Sequence, residues 1–121
     1  MLLQLLVLPA MQAASPKREF RGAWIQCVNG QFQGMPVQQM KNMLISQLDA
    51  LEKAGINAII FQVRAECDAL YVSSYEPWSR FLTGVQGKAP SPMWDPLQFM
   101  IEECHKRNME LHAWINPYRA Q

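Results

Sequence analysis

Residues 55–68 read G-I-N-A-I-I-F-Q-V-R-A-E-C-D, and this stretch decides the fold. Gly55 is typical of a helix stop, and the run after it is dense in Ile, Phe and Val, which is the composition of a β-strand. Side chains alternate along a strand, so this one has two faces. One face carries Ile59, Phe61, Val63 and Ala65, and the other carries Ile60, Gln62, Arg64 and Glu66. The second face becomes polar only toward its carboxyl end, as in a parallel strand that opens into a binding site.

Two other stretches repeat this pattern in the same phase. Residues 22–28 read G-A-W-I-Q-C-V, and residues 110–116 read E-L-H-A-W-I-N. Their aliphatic faces, which we expect helices to cover, carry Ala23, Ile25 and Cys27 in the first and Leu111, Ala113 and Ile115 in the second. Their other faces carry Trp24, Gln26 and Val28 in the first and His112, Trp114 and Asn116 in the second. The polar groups collect at carboxyl ends, where parallel sheets and barrels hold their sites. For any single residue, the alternative is that it only satisfies a neighbour's hydrogen bond.

Helices are predicted between these strands. The first begins near Pro36 and ends at Gly55, and its inner stripe is Met40, Leu44, Leu48 and Leu51. The second opens at Asp95 and Pro96, an N-cap followed by a proline at the first helical position, and Asn108 can end it. Its inner stripe is Leu97, Met100, Ile101 and Cys104, and its predicted wet face is Glu102, Glu103, Lys106 and Arg107.

Residues 67–94 form the longest irregular stretch, and loops much longer than about a dozen residues tend to be functional. Its aromatic side chains are Tyr71, Tyr75, Trp78, Phe81 and Trp94, next to Glu76 and Arg80. Aromatic faces beside hydrogen-bonding groups suit sugar rings. The alternative, favoured for Phe81 and Trp94, is that the aromatics only anchor the loop.

Composition excludes several classes of protein. The chain has 121 residues, half of them hydrophobic, and a net charge of +1, which indicates one globular domain. It has no basic block, so we expect no nucleic-acid partner. The cysteines Cys27, Cys67 and Cys104 have no C-x-x-C spacing, and the stretch after the first strand is not G-x-G-x-x-G. We therefore expect no metal site, no disulfide framework and no cofactor.

Residues 1–14 are apolar up to Met11 and then small or polar, which is typical of the hydrophobic part and tail of a secretory signal peptide. The run is too short to span a bilayer as a helix. We expect an exported protein in the periplasm or cell envelope, peripheral to the membrane at most.

The order strand–helix–strand–helix–strand predicts an α/β fold with parallel strands and helices on one face of the sheet. Such a sheet leaves its other face open, together with both edges. Further strands that close the sheet around this face would explain why it carries large aromatic and polar side chains. Residues 15–121 are therefore expected to be the first third of a (β/α)8 barrel, cut after its third strand.

Several long motifs carry a family resemblance: F-R-G-A-W-I from residue 20, A-G-I-N-A-I-I-F-Q-V-R-A-E-C-D-A-L-Y from residue 54, E-P-W-S-R-F-L-T-G from residue 76, and H-A-W-I-N-P-Y-R from residue 112. With them, the chain resembles the glycosyl-hydrolase-like family 10 of exported bacterial TIM-barrel proteins. The resemblance implies a (β/α)8 fold, an envelope location and glycoside hydrolysis, with cell-wall glycan strands as the expected substrate. Members usually have Pro-Glu-Gly-Asp where this chain has Ala65-Glu66-Cys67-Asp68, which keeps both acidic residues but alters the turn.

Glycoside cleavage normally needs two carboxylates. Glu66, which continues the polar face of its strand, and Asp68 are the candidate catalytic residues. Arg64 is expected to keep Glu66 ionised, which favours a base or nucleophile over an acid. The alternative is a structural pair of Arg64 with Glu66 or Asp68. Since barrel glycosidases often carry these groups on later strands, the second carboxylate is expected beyond residue 121.

The remaining candidates are assigned to substrate binding, with a polysaccharide or peptidoglycan glycan as the partner. They are Gln62, Arg64, Trp24, Tyr71, Trp78, His112, Trp114, Asn116 and Arg119. His112, Asn116 and Arg119 are expected to line one mouth, with Trp24 and Trp114 as its floor. Two other functions fit the same residues: a non-catalytic carbohydrate-binding barrel of the envelope, and an isomerase or aldolase acting on a phosphorylated sugar.

Overall fold

A computed structural model describes residues 19–119. Its elements, in chain order, are β1 (Gly22–Ile25), α1 (Val37–Lys53), β2 (Ala58–Arg64), α2 (Arg80–Thr83), α3 (Pro96–Lys106) and β3 (Glu110–Ile115). The strands form one sheet in the order β1-β2-β3, and both pairings are parallel. The predicted α/β fold is therefore confirmed. Consecutive strands are neighbours here, as is usual for elements that follow one another along a chain.

The two faces of β2 are as the alternation predicts, but the expectation that helices cover Ala113 and Ile115 of β3 is wrong, since both residues are exposed, Ile115 to 50%. Ile59, Phe61 and Val63 of β2 are fully buried in the hydrophobic core, together with apolar side chains of both long helices. On the opposite face, Trp24 of β1 is 66% exposed. Within residues 19–119, the helices pack against one face of the sheet, and this face carries the buried side chains of β2.

Helix α1 follows its predicted bounds. Pro36 is its N-cap, and Ala54 is its C-cap. Gly55 follows with a φ of 86°, a left-handed conformation that favours glycine. Met40, Leu44 and Leu48 form the buried stripe.

Helix α3 begins as predicted, because the Oδ1 atom of Asp95 accepts a hydrogen bond of 2.9 Å from the backbone N–H of Gln98. The expectation that Glu103 lies on a wet face is wrong, since only 9% of this residue is exposed. Its carboxylate pairs with Lys106 and Arg107 at 2.9 Å each. Arg107 also reaches Asp49 of α1, at 2.8 Å. Glu103 is covered because this side of α3 meets α1, and its charge is balanced by the two cations.

The long stretch between β2 and α3 is less irregular than the sequence suggests. It contains α2, which begins where the Oγ of Ser79 accepts a hydrogen bond from the N–H of Phe81 and ends at Gly84 with a φ of 94°. Phe81 and Trp94 are 7% and 8% exposed and belong to the hydrophobic core. They anchor the loop, as the alternative interpretation predicted for these two residues.

Residues 1–14, for which a signal peptide is expected, lie outside the described residues. Between residues 19 and 119, no helix combines the length and the apolar character needed to cross a bilayer.

Candidate functional site

The turn after β2 places Glu66 and Asp68. The Oδ1 atom of Asp68 accepts hydrogen bonds from the backbone N–H groups of Ala65 and Glu66, at 3.1 and 3.0 Å. Cys67 between them has a φ of 54°, which lets the chain turn back within these few residues. Asp68 is 1% exposed, and its other oxygen, Oδ2, contacts no hydrogen-bond donor within residues 19–119. Within residues 19–119, the role of Asp68 is therefore to stabilise the turn through its hydrogen bonds to the backbone of Ala65 and Glu66.

The carboxylate of Glu66 is held by Arg80. The Nε and Nη2 atoms of Arg80 donate to Oε2 and Oε1 of Glu66, both at 3.1 Å. These hydrogen bonds raise the pKa of the Arg80 guanidinium above its usual value. The expectation that Arg64 is the partner of Glu66 is wrong, and so is the alternative of a pair between Arg64 and Asp68. Glu66 lies in the turn after β2, where Arg80 at the start of α2 occupies both of its carboxylate oxygens, while Arg64 at the end of β2 contacts Glu76.

Arg64 instead pairs with Glu76 of the loop, at 2.5 Å. The second oxygen of Glu76 accepts a hydrogen bond of 2.6 Å from the hydroxyl of Tyr71. These contacts with Tyr71 and Arg64 lower the pKa of the Glu76 carboxyl. Burial, followed by the hydrogen bond to Glu76, raises the pKa of the Tyr71 hydroxyl to about 12. Arg64 and Tyr71, both predicted to bind substrate, thus tie the loop to the end of β2.

A polar cleft of about 390 Å³ lies at the carboxyl ends of the strands. Residues that follow all three strands line it: Val28, Asn29, Gly30, Gln33, Glu66, Arg80, Phe81 and Arg119. Of the predicted site residues, the cleft brings together Glu66 and Arg119. Asn29, Gln33 and Arg80 also line the cleft, although they were not predicted to be site residues. Two features of the sequence could have identified them: Asn29 and Gln33 belong to an amide-rich loop after β1, and Arg80 lies in a stretch rich in aromatic residues.

Gln62 lies beneath this cleft and is 2% exposed. Its side-chain oxygen accepts a hydrogen bond of 3.0 Å from the backbone N–H of Cys27, which follows β1. Burial, with added repulsion from the carboxylates of Asp68 and Glu66, raises the pKa of the Cys27 thiol to about 12. Gln62 therefore satisfies the backbone N–H of Cys27 and links β2 to the segment that follows β1.

Two of the aromatic candidates, Trp24 and Trp114, lie on the open face of the sheet, and none of the aromatic candidates lines the cleft. Trp24 and Trp114 meet edge to face, with ring centroids 5.0 Å apart. The indole N–H of Trp114 donates to Asn116 at 2.8 Å, and Asn116 donates in turn to the carbonyl of Ala65 at 3.2 Å. Trp78 is partly buried against the core.

His112 does not lie at the mouth where it was expected. Its ring meets that of Phe20, with centroids 5.4 Å apart, and its Nε2 lies 3.1 Å from a carboxylate oxygen of Glu110. Phe20 precedes β1 and Glu110 begins β3, so His112 faces the amino-terminal part of the sheet. Its central position in β3, opposite Ile60, explains this placement.

Comparison with known proteins matches most of this chain. The sequence profile of a family described as Glycosyl hydrolase-like 10 matches residues 19–119. The chain is 50% identical over 115 residues to glycosyl hydrolase YngK of Bacillus subtilis (strain 168), which covers 92% of this chain and 22% of the relative. It is 49% identical over 77 residues to glycosyl hydrolase DigH of Escherichia coli (strain K12), covering 64% of this chain and 17% of that protein. DigH of Shigella flexneri matches equally well, with the same identity and coverage.

The chain thus spans roughly a fifth of the length of these curated relatives, at 22% and 17%. The matched residues include all three strands and the cleft at their carboxyl ends, and three parallel strands with intervening helices are consistent with the start of the TIM barrel that this family implies. On the extent of the profile match and the identity to its relatives, the chain belongs to the Glycosyl hydrolase-like 10 family.

Proposed function

We propose that the whole protein is an exported glycoside hydrolase that cleaves a polysaccharide of the bacterial cell envelope, with cell-wall glycan strands as the substrate. Family membership and the names of the relatives support glycosidase-like chemistry. The apolar start of the chain supports export, and the aromatic and amide side chains near the strand ends support a carbohydrate partner.

The observation that carries this proposal is the position of Glu66. It is 8% exposed, yet it lines a polar cleft at the carboxyl ends of parallel strands, where barrel enzymes hold their reacting groups. Both of its oxygens accept hydrogen bonds from an arginine, so the orientation of the carboxylate is fixed. A carboxylate held in this way suits the role of base or nucleophile in glycoside cleavage.

The second carboxylate of the reaction must come from elsewhere in the whole protein. Among the described residues that line the cleft, Glu66 is the one carboxylate. A partner about 5 Å away would make Glu66 a nucleophile in a retaining enzyme, and a larger separation would leave room for water in an inverting one. Asn29, Gln33 and Arg119 then serve as hydrogen-bonding groups for sugar hydroxyls around the scissile bond.

The test is the whole protein carrying Glu66→Gln, assayed for new reducing ends on purified glycan strands. We expect turnover to fall by about 10²- to 10⁴-fold, because the amide can act as neither base nor nucleophile. Glu102→Gln is the matched control, since Glu102 is exposed on α3 and contacts only Gln98 among the described side chains, at 2.9 Å. Near-normal turnover by a folded Glu66→Gln variant would remove Glu66 from the chemistry.

A carbohydrate-binding protein without catalysis is the second candidate. It is favoured by one observation: Arg80 occupies both oxygens of Glu66, as in a purely structural ion pair. Binding of glycan strands by the wild-type whole protein, without any release of product, would select this candidate over the enzyme.

A further inference from the structure

Two sets of contacts hold Glu66, one on its side chain and one on its backbone. Arg80 grips the carboxylate with two nearly equal hydrogen bonds of 3.1 Å. Such a two-point contact fixes the plane of a carboxylate, which a single contact cannot do. Asp68 fixes the backbone below by accepting the N–H groups of Ala65 and Glu66.

Arg80 is itself held in place. Its guanidinium carbon lies 4.4 Å from the centroid of the Phe81 ring, a cation–π contact. Phe81 is buried in the core, so the guanidinium rests on a fixed surface. The side chain of Arg80 is 35% exposed, and it therefore also faces the cleft.

The loop that carries Arg80 is tied back to the turn that carries Glu66. The N–H of Ser79 donates to the carbonyl of Ala69 at 3.0 Å, and the N–H of Ala69 donates to the carbonyl of Pro77 at 2.9 Å. Ser79 is fully buried and caps α2. The distance between Arg80 and Glu66 is thus set by backbone hydrogen bonds as well as by the ion pair.

We infer that Arg80 is the positioning residue of the site, which fixes the orientation of the Glu66 carboxylate toward the cleft. The inference rests on the proposed function, because it assigns Glu66 to the reaction. Arg80 acts through Glu66, so its loss is expected to slow the chemical step while leaving the affinity for substrate almost intact.

The experiment compares Arg80→Met, Arg80→Gln and Arg80→Lys in the whole protein. We expect Arg80→Met to lower kcat by about 100-fold with KM changed by no more than about threefold, because a misplaced catalytic group costs about this much. Arg80→Lys is expected to recover only part of the activity, since an ammonium group cannot form the two parallel contacts. If Arg80→Met does not fold, Arg80→Gln gives the same comparison.

Chemical rescue separates positioning from a merely structural role. Millimolar guanidinium added to Arg80→Ala is expected to restore kcat by about tenfold or more, by refilling the place of the missing group, and to do nothing for Glu66→Gln. Arg107→Met is the matched control, because it removes a buried arginine–carboxylate contact between α1 and α3, away from the cleft. A kcat within about twofold of wild type, a loss confined to KM, or a lack of rescue would each overturn the inference.

Crystal structures of the whole wild-type protein and of Arg80→Met keep this test independent of activity. The inference expects the Glu66 carboxylate to leave its wild-type orientation in the variant, whereas an unchanged orientation overturns it. A wild-type protein that cleaves no glycan would contradict the proposed function, while the comparison of Glu66 orientations would still decide whether Arg80 positions this side chain.

Discussion

At the scale of single residues, burial sets the reactivity of two cysteines. The thiols of Cys27 and Cys104 are fully buried, and burial raises their pKa values to about 12 and about 11. At pH 8 only about 10⁻⁴ of the Cys27 thiol would be ionised, and the thiolate is the form that reacts.

This predicts slow labelling of Cys27 by a thiol reagent in the folded whole protein and fast labelling once denaturant is added. Peptide mapping by mass spectrometry after timed reaction with iodoacetamide measures it, and Cys27→Ser identifies the signal. Half-buried Cys67 is the internal comparison. If Cys27 reacted in the folded protein as fast as in the unfolded one, it would not lie packed beneath the cleft.

Sequence reasoning found Glu66 but not its partner, and the reason is geometric. Glu66 was singled out because it comes two residues after Arg64, which ends β2, although the structure places Glu66 in the turn that follows the strand. No period relates Glu66 to Arg80, which lies 14 residues away at the start of α2, where tertiary contacts set its position. The same limit explains Asn29 and Gln33, which reach the cleft only through the loop after β1.

At the scale of elements, ion pairs link helices α1 and α3. The helical pattern had predicted Glu103 and Arg107, which take part in these pairs, on the solvent-exposed face of α3. Arg107 contacts Asp49 of α1 as well as Glu103 of α3. These side chains of Glu103 and Arg107 are only 11% and 13% exposed. The hydrogen bonds from Arg107, and then those from Lys106, lower the pKa of the Glu103 carboxyl below its ordinary value of 4.5.

We expect Arg107→Met to destabilise the packing of α3 on α1 by about 2 kcal/mol, because it leaves Glu103 covered with only Lys106 to balance its charge. Hydrogen exchange of the α3 amides in the whole protein measures this. Lys106→Met is the matched control, since Lys106 is 67% exposed and its loss is expected to cost less than about 0.5 kcal/mol. Equal effects of the two substitutions would mean that the partly buried contacts of Arg107 stabilise the packing of α3 on α1 no more than the exposed contact of Lys106 does.

The pH dependence of this contact has a definite sign. Glu103 has a lowered pKa in the folded state, so its contribution is present above 4.5 and is lost as the pH falls through the folded value. The difference between wild type and Arg107→Met should therefore shrink toward zero in acid. A difference that stayed constant down to pH 2 would point to packing of the arginine stem instead of its charge.

Helix boundaries were predictable to within a few residues, because local signals set them. Pro36, Gly55 and Asp95 each act through their own backbone or capping chemistry. Helix α2 was missed because four residues carry no periodicity, although Ser79 and Gly84 at its ends are typical cap residues. The covered position of Glu103 could not be read, because it depends on which side of α3 meets α1.

At the scale of the whole molecule, the sheet formed by residues 19–119 has one covered and one open face. The order of its strands follows their order in the sequence, so the sequence was enough to predict it. The open face carries Phe20 and Trp24, which are 58% and 66% exposed, together with His112 and partly buried Trp114. We call this set the aromatic face.

We predict that residues 19–119 produced alone associate through the aromatic face and through the unpaired edges of β1 and β3. Clustered aromatic surface and open strand edges both favour pairing with another copy. Light scattering coupled to size exclusion, over a range of concentrations, measures the association.

Trp24→Lys is expected to shift the population toward monomer, because a charge in this face opposes its burial. Tyr75→Lys is the matched control, since Tyr75 is 95% exposed in the long loop and lies apart from the sheet. A monomer with a sharp, cooperative melt would contradict the prediction, because it would show that residues 19–119 fold stably with the aromatic face exposed to solvent.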